Sequence, residues 1–444
     1  MHAMNVTKVF LAPTLLQMVN QSLDLLWISA PFKCSRRLGY MRRMVETSWA
    51  RAAYRFGNWY TSSKLSQIWT PPRLSSRECM FEQWTPGKYD RHISFDNPKH
   101  FHQFLSKKMP KSCFYSTAYY AKPNEWKMKD KDWKGADLIF DLDGDHLEHV
   151  DPYNFPEMLE IIQLQTWKLW EDFLQPEFGF KEQYLHITFS GHRGFHLHYR
   201  DPSYLGLDSS SRRELVSYIR GIGVEVSALM KNDDSFGWKQ RIEQGTESII
   251  SKLDIVNEGG KEGKMMAREL CSIIKERSTS LDSKVKSCSI DRMSAIAESL
   301  QHPQRRTNVI NGNFKGLGKN DAIFVELVKG DKSIILGSAG ETDDAVTVDV
   351  KRQIRWPTSL NGKCGLQVTT FPLNRLHPDG PNPFDALTEA IPRYDDKIRE
   401  LEITVERCIV RLGENELEFA SGDTINANAN LDTFLTLKGW AKPV

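Results

Sequence analysis

The chain has 444 residues, a formal net charge of +2, 40% hydrophobic residues and 26% charged residues. That length accommodates two or three domains, and that composition excludes global disorder. The weak net charge excludes polyanion binding by bulk charge, so any nucleotide or nucleic acid has to be held by local clusters.

Residues 1–50 read as an N-terminal extension. Its most apolar run, VFLAPTLLQMVNQSLDLLWISAPF, is interrupted by Gln17, Asn20, Gln21 and Asp24. It falls short of the roughly 18 uninterrupted apolar residues of a membrane span. The charged n-region of a signal peptide is nearly absent. The extension closes on the basic run KCSRRLGYMRR, and Met41 or Met44 reads as a natural start, so the expectation is that this segment is not native. The cysteines, Cys34, Cys79, Cys113, Cys271, Cys288, Cys364 and Cys408, are odd in number and form no C-x-x-C. They read as reduced thiols of a cytoplasmic protein, with no cysteine-based zinc site from local spacing.

Residues 51–208 mix strands and helices. PKHFHQFLSKKM has the pattern of a helix, and 137–143 that of a strand entering from Gly135. Residues 157–174 carry Leu159, Ile162, Leu169 and Phe173 at helical spacing. YLHITFS and FHLHY follow as two strands joined by a tight turn. Residues 209–319 read as a helical insert, opened by a capping box on Ser211 and Glu214. Residues 320–444 return to strands: AIFVELV, KSIILG, and two more in LEITVERCIVRLGENELEF. The fold class is mixed α+β with a small helical insertion.

Three stretches carry chemistry. In DLIFDLDGDH, Asp141 and Asp143 are two residues apart on a strand, so they share one face and Phe140 and Leu142 take the other. Carboxylates about 7 Å apart along a strand can converge on two cations roughly 3.5–4 Å apart, the arrangement for in-line phosphoryl displacement. Oxygen-only ligands suit Mg²⁺ or Mn²⁺. Read alone, the stretch is equally a solvated strand end, or the D-L-D-G box of a haloacid dehalogenase-type phosphatase.

In ITFSGHRGFHLHY, Gly191 and Gly194 bracket His192 and Arg193. Such glycines let backbone N–H groups face an anion. Ser190 offers a hydroxyl, Arg193 a phosphate fork and His196 a further donor. A plain hairpin is the alternative, and a zinc site on His192, His196 and His198 matches no common spacing. In DDAVTVDVKRQIRWPTSLNGKCGL, Asp343, Asp344 and Asp349 offer a third carboxylate, and Arg352, Arg355 and Lys363 offer phosphate contacts. Taken alone, this stretch reads as a charged surface strand followed by a loop.

Together, in this order, D-x-D, S-G-x-R-G-x-H and D-x-x-V-T-x-D-V-x-R-x-I-R-x-P-x-S-L resemble the catalytic small subunit of archaeal and eukaryotic DNA primases. RHISF, STAYY and KGADLIFDLDGDHL are similar to the archaeal form. The resemblance runs from about residue 51 to the C-terminus. It implies the archaeo-eukaryotic primase catalytic core, with β-sheets flanked by helices. It implies a nucleotidyltransferase that starts short RNA or DNA primers on single-stranded DNA from nucleoside triphosphates. It assigns Asp141, Asp143 and Asp343 to two Mg²⁺ or Mn²⁺ ions, and Ser190, Arg193, His196 and Arg355 to the nucleotide. It also implies a heterodimer with a large subunit bearing an iron–sulfur cluster, in the cytoplasm at the nucleoid.

Three departures from the family pattern stand out. Asn361 replaces the usual histidine of S-L-H-G-K-T-G, which weakens the expected phosphate contact. The usual zinc-knuckle cysteines after the acidic strand are missing, leaving only His146 and His149, so no structural zinc is expected. Residues 1–40 have no counterpart. The readings left beside the primase are a repair or lesion-bypass primase-polymerase, the phosphatase, and a non-catalytic single-strand-binding scaffold. The phosphatase box requires Thr or Val where Asp145 stands.

Overall fold

The computed structural model describes residues 48–144, 150–220, 237–279, 285–331 and 344–444, together with Val226 and Ser283. The expectations for the N-terminal extension up to residue 47, for Asp145, His146 and His149, for the KSIILG run and for Asp343 fall outside these residues.

The described chain begins with α1 (Ser48–Ser62), the hairpin β1 (Cys79–Glu82) and β2 (Tyr89–Ile93), α2 (Pro98–Lys108) and β3 (Ser112–Ser116). A small ribbon of β4 (Ala118–Tyr120) and β5 (Trp133–Ala136) leads into the acidic strand β6 (Leu138–Asp143). Helix α3 (Phe155–Leu169) follows and runs on through a π-helical turn, Trp170–Leu174. The hairpin β7 (Leu185–Phe189) and β8 (Gly194–Tyr199) closes this part. A helical stretch comes next: α4 (Ser209–Ile219), α5 (Gly237–Glu258), α6 (Gly260–Arg277), α7 (Ile290–Leu300), α8 (Pro303–Ile310) and α9 (Asp321–Gly330). The chain returns through α10 (Asp344–Val348), β9 (Gln353–Arg355) and β10 (Thr369–Phe371). It ends with β11 (Arg399–Ile403), β12 (Arg407–Arg411), β13 (Glu416–Ala420), β14 (Thr424–Ala427), α11 (Ala429–Lys438) and β15 (Ala441–Pro443).

Local chemistry explains the helix α2. Asn97 caps it by accepting a hydrogen bond from the His100 N–H at 3.0 Å, Pro98 fits its first turn, and Lys107 and Lys108 sit at the negative end of its dipole. Phe101 and Leu105, one helical turn apart, are its buried face.

Two four-stranded antiparallel sheets position the site, in the orders β2-β1-β3-β9 and β10-β7-β8-β6. Alternation along β6 decides what faces what. Leu138, Phe140 and Leu142 enter the larger core, with Phe155, Met158 and Ile162 of α3. Ile139 enters the second core with Phe81, Tyr115 and Trp356, on the side of the first sheet. Asp141 and Asp143 continue the Ile139 face, so they come to lie between the two sheets.

Immediately before β6, Asp137 is fully buried between Arg77 Nη2 at 2.9 Å and Arg200 Nε at 3.1 Å. Burial alone would raise its pKa, but the two guanidinium groups outweigh that and hold it below the usual carboxylate range. The start of the acidic strand is thereby anchored by a satisfied ion cluster.

The mixed α+β class holds, with four local differences. AIFVELV is not a strand but lies in α9, where Ile323, Phe324, Leu327 and Val328 are buried at helical spacing. The N-cap of α4 is Asp208, whose carboxylate accepts from the Ser211 N–H at 2.8 Å, so Ser211 lies inside the helix rather than capping it. A formal negative charge complements the helix N-terminus better than a hydroxyl does. LEITVERCIVRLGENELEF supplies three strands rather than two. DAVTV is a short helix rather than a surface strand, with Val346 and Thr347 buried.

Candidate active site

Strands β6 and β8 pair so that Asp141 stands opposite His196 and Asp143 opposite Gly194. His196 Nε2 lies 3.3 Å from Asp141 Oδ1, and Arg193 Nε lies 3.7 Å from Asp143 Oδ1. The close pairing depends on Gly194: a Cβ there would stand 2.2 Å from the Leu142 carbonyl oxygen, a backbone atom that cannot swing away. Gly191 has φ +75°, the left-handed conformation that glycine adopts without strain.

The turn between β7 and β8 is built around Ser190. Its Oγ accepts from the N–H groups of His192 at 3.4 Å and Gly194 at 3.2 Å. These two backbone donors, which the glycine pattern suggested would face an anion, are therefore used inside the turn. The Ser190 hydroxyl proton stays available to the cleft. A second loop, Ser359–Gly365, packs behind this turn. Asn361 Nδ2 donates to the Ser190 carbonyl at 2.9 Å, Asn361 Oδ1 accepts from the Lys363 N–H at 2.9 Å, and Cys364 Sγ lies 2.9 Å from the Gly191 carbonyl oxygen. The structural work of Asn361 is thus to tie the two loops together, a role the expected loss of a phosphate contact did not include.

Strand β9 forms the facing wall. Arg355 stands opposite Phe114 of β3, with its guanidinium 4.5 Å from that ring, and its Nη1 is buried without a hydrogen-bond partner among the described residues. Asp141, Asp143, Ser190, His192, His196, Arg352, Arg355, Asn361 and Lys363 line one cleft between the sheets. Arg193 borders it through Asp143.

Electrostatics divide the cleft. Asp141 and Asp143 supply the acidic side. Arg193 and Lys363 have pKa values lowered by burial, Lys363 further by Arg355, so positive charge is concentrated and incompletely hydrated on the other side. His196 is pushed down to about 3 by burial, with Arg355 and Arg352 adding to the effect, so its ring is neutral and able to donate a hydrogen bond without adding charge.

The cleft thus fits two kinds of guest. A buried guanidinium nitrogen without a partner fits an anion, and two oxygen-donor carboxylates on one strand face fit a hard divalent cation. Asp141, Asp143, Ser190, His196 and Arg355 meet here, with Arg193 at the edge. Asp343 is outside the described residues. Its competitor Asp349 is exposed and accepts from the Lys351 N–H at 2.9 Å, away from the cleft lining. No group of three or more His, Cys, Asp or Glu side chains among the described residues is arranged to hold a metal. Two of the three rings in the zinc reading of His192, His196 and His198 are turned to other partners: His198 Nδ1 faces Tyr115 Oη at 3.4 Å and His192 Nε2 faces Lys438 Nζ at 3.4 Å. Phe114 and Lys438 are the residues that no motif marked, because neither belongs to a patterned run.

Comparison with known proteins converges on this region. The family model described as DNA primase small subunit matches residues 140–371, which span all three acidic and basic stretches. The DNA primase small subunit PriS of Methanothrix thermoacetophila is 33% identical over 422 residues, covering 87% of this chain and 97% of that protein. PriS of Methanococcoides burtonii is 31% identical, covering 83% of this chain and 92% of its own. PriS of Methanocella arvoryzae is 34% identical, covering 78% and 87%.

Proposed function

The chain belongs to the DNA primase small-subunit family, and from that membership we propose that the cleft between its two sheets joins nucleotides into a primer on single-stranded DNA without a pre-existing 3′ end. A primase small subunit is a polymerase-type transferase, and the finer assignment here is a nucleotidyltransferase. What supports it most is the register of β6 against β8, which sets two carboxylates beside the turn that carries Ser190 and Arg193.

Asp141 and Asp143, with Asp343, are the residues that would hold two Mg²⁺ or Mn²⁺ ions. Such ions make a 3′-hydroxyl more acidic and offset the charge of a leaving pyrophosphate. The chain's own groups do the positioning. Arg193 and Arg355 bind the triphosphate as forks, Ser190 donates its hydroxyl proton to it, and neutral His196 donates through Nε2 beside Asp141. Holding the α-phosphate in line with the hydroxyl carries most of the rate, and no covalent enzyme intermediate is required. Arg352 and Lys363 add charge along the same wall.

The template is held through its phosphates, which makes binding sequence-tolerant and salt-sensitive. A primase large subunit completes the enzyme as a heterodimer, in the cytoplasm at the nucleoid. The helical stretch, expected over 209–319, is an insert between the two parts of the core, and α9, which packs on α5 and α6, goes with it rather than with the core part expected to begin at 320. No helix among the described residues is long and apolar enough to cross a membrane.

The test is primer synthesis on single-stranded DNA with no primer added. Asp141→Ala and Asp143→Ala each abolish synthesis while the circular dichroism spectrum is kept. Synthesis retained by either variant removes the two-metal assignment. Running the assay with ribonucleotides against deoxyribonucleotides separates a replicative primase from a repair or lesion-bypass primase-polymerase.

A further inference from the structure

Lys438 is the last residue of α11, with Gly439 at the C-cap in the left-handed conformation. A lysine at this place on a helix ordinarily offsets the carbonyl end of the helix dipole and reaches water. Lys438 does something else. Its ammonium lies 4.9 Å from the centre of the Phe155 ring and 4.6 Å from that of Trp440, and 3.4 Å from His192 Nε2 on the cleft wall. No carboxylate lies within 4.0 Å of it among the described residues.

The helix that carries it is pinned. Asp432 of α11 is fully buried and binds Arg51 Nη2 and Arg55 Nη1 of α1, each at 2.7 Å. The approach of Lys438 to the Ser190–Gly194 turn is therefore set by packing and not by chance contact of a long side chain. His192 is neutral, since burial and Lys438 itself drive its pKa well below the ordinary value, so its ring can accept from the ammonium.

Lys438 joins cations that are already crowded. Burial pushes its amine down to about 8, and Arg193 and Lys363 push in the same direction. Cys364 and Asp143 oppose them without restoring the ordinary value. Asp143 offsets part of this positive charge, through Arg193 at 3.7 Å, but Lys438 itself has no carboxylate beside it among the described residues, and a cluster of partly dehydrated cations of this kind marks an anion site. The acidic carboxylates lie on β6, and Lys363, Arg193 and Lys438 gather at the turn beyond it. A triphosphate whose α-phosphate sits by Asp141 and Asp143 would extend its outer phosphates toward that turn.

We propose that Lys438 is a nucleotide-binding residue that contacts the outer phosphates of the incoming nucleoside triphosphate. This rests on the reading of the cleft as the nucleotide site. A template-strand phosphate is the competing anion, and the site's position beside the Ser190 turn favours the nucleotide.

The experiment is equilibrium binding of ATP, AMP and single-stranded DNA, each with Mg²⁺, to the full chain and to Lys438→Met and Lys438→Arg. Lys438→Met lowers ATP affinity about tenfold or more, the scale of one lost charge-assisted contact, and leaves AMP and DNA affinity unchanged. Lys438→Arg retains most of the ATP affinity and confirms that the cation, not the packing, matters. Equal loss of ATP and AMP, with no rescue by arginine, would assign Lys438 to holding the turn and overturn the proposal. Loss confined to DNA would make it a template contact, and unchanged ATP affinity in Lys438→Met would remove it from the site. Absence of ATP binding by the unaltered chain would bring down the nucleotide reading itself, an outcome separate from all of these.

Discussion

Asn361 is the residue at which the family pattern and this chain part, and its surroundings give it a different task from that of the histidine it replaces. It is 1% exposed, and its amide spans the Ser190 carbonyl and the Lys363 N–H. Removing it leaves a buried carbonyl and a half-buried N–H without partners, which costs about 1–3 kcal/mol for each unsatisfied group. Asn361→Ala should therefore lower the thermal midpoint by several degrees and raise the KM for nucleotides, since the turn that carries Ser190 and Arg193 loses its backing. The expectation from sequence alone, a weaker phosphate contact, would have predicted a KM effect with no loss of stability. Calorimetry together with steady-state kinetics on one variant decides between the two.

At the scale of elements, the unit that matters is β6, the turn, and β8. Much of it was legible. The i, i+2 spacing of Asp141 and Asp143 gave their shared face, and Gly191 and Gly194 gave a turn, because period and glycine chemistry are local properties. What pairs with what was not legible: that Asp143 faces Gly194, or that Asn361 backs the turn, depends on contacts between residues far apart in sequence. The same limit explains α9. AIFVELV is rich in β-branched and aromatic residues, yet the burial of Ile323 with Leu327, and Phe324 with Val328, follows a helical turn against α5 and α6. Tertiary packing overrode local preference there. The register of the unit can be tested at Gly194. In Gly194→Ala the added methyl meets the Leu142 carbonyl at 2.2 Å, so β6 and β8 must separate beside Asp143. A shift of about 1 Å at a reacting centre can cost on the order of 10²-fold in rate. Primer synthesis should fall by that order, whereas Gly206→Ala, at a glycine with open space around it, should be silent.

On the scale of the whole molecule, the two sheets enclose polar side chains that most cores avoid. His186 stacks on Trp69 with ring centres 5.2 Å apart, and His198 lies against Tyr115, whose Oη is 3.4 Å from its Nδ1. Burial pushes His186 down to about 3 and His198 well below its ordinary value, and Arg200 adds to both shifts. Both rings are thus neutral in the folded state across the physiological range. In the unfolded chain they would take up protons as the pH falls through about 6.5. The unfolded state then binds more protons than the folded one, so stability is full above that pH and declines below it. Each histidine contributes a slope of about 1.4 kcal/mol per pH unit. Lowering the pH from 7.5 to 5.5 should therefore remove on the order of 2–3 kcal/mol through these two side chains, read as a fall in the urea unfolding midpoint. Buried Asp137 does not contribute in this window, because its lowered pKa places its own loss at more acidic pH. His186→Phe keeps a ring on Trp69 and removes one titrating group, so the decline over the same interval should shrink by roughly 1 kcal/mol. An unchanged decline in that variant would mean that His186 is protonated within the fold. The space between the sheets would then be open to water, and the nearby neutral state of His196, on which its role as an uncharged donor depends, would lose its physical basis.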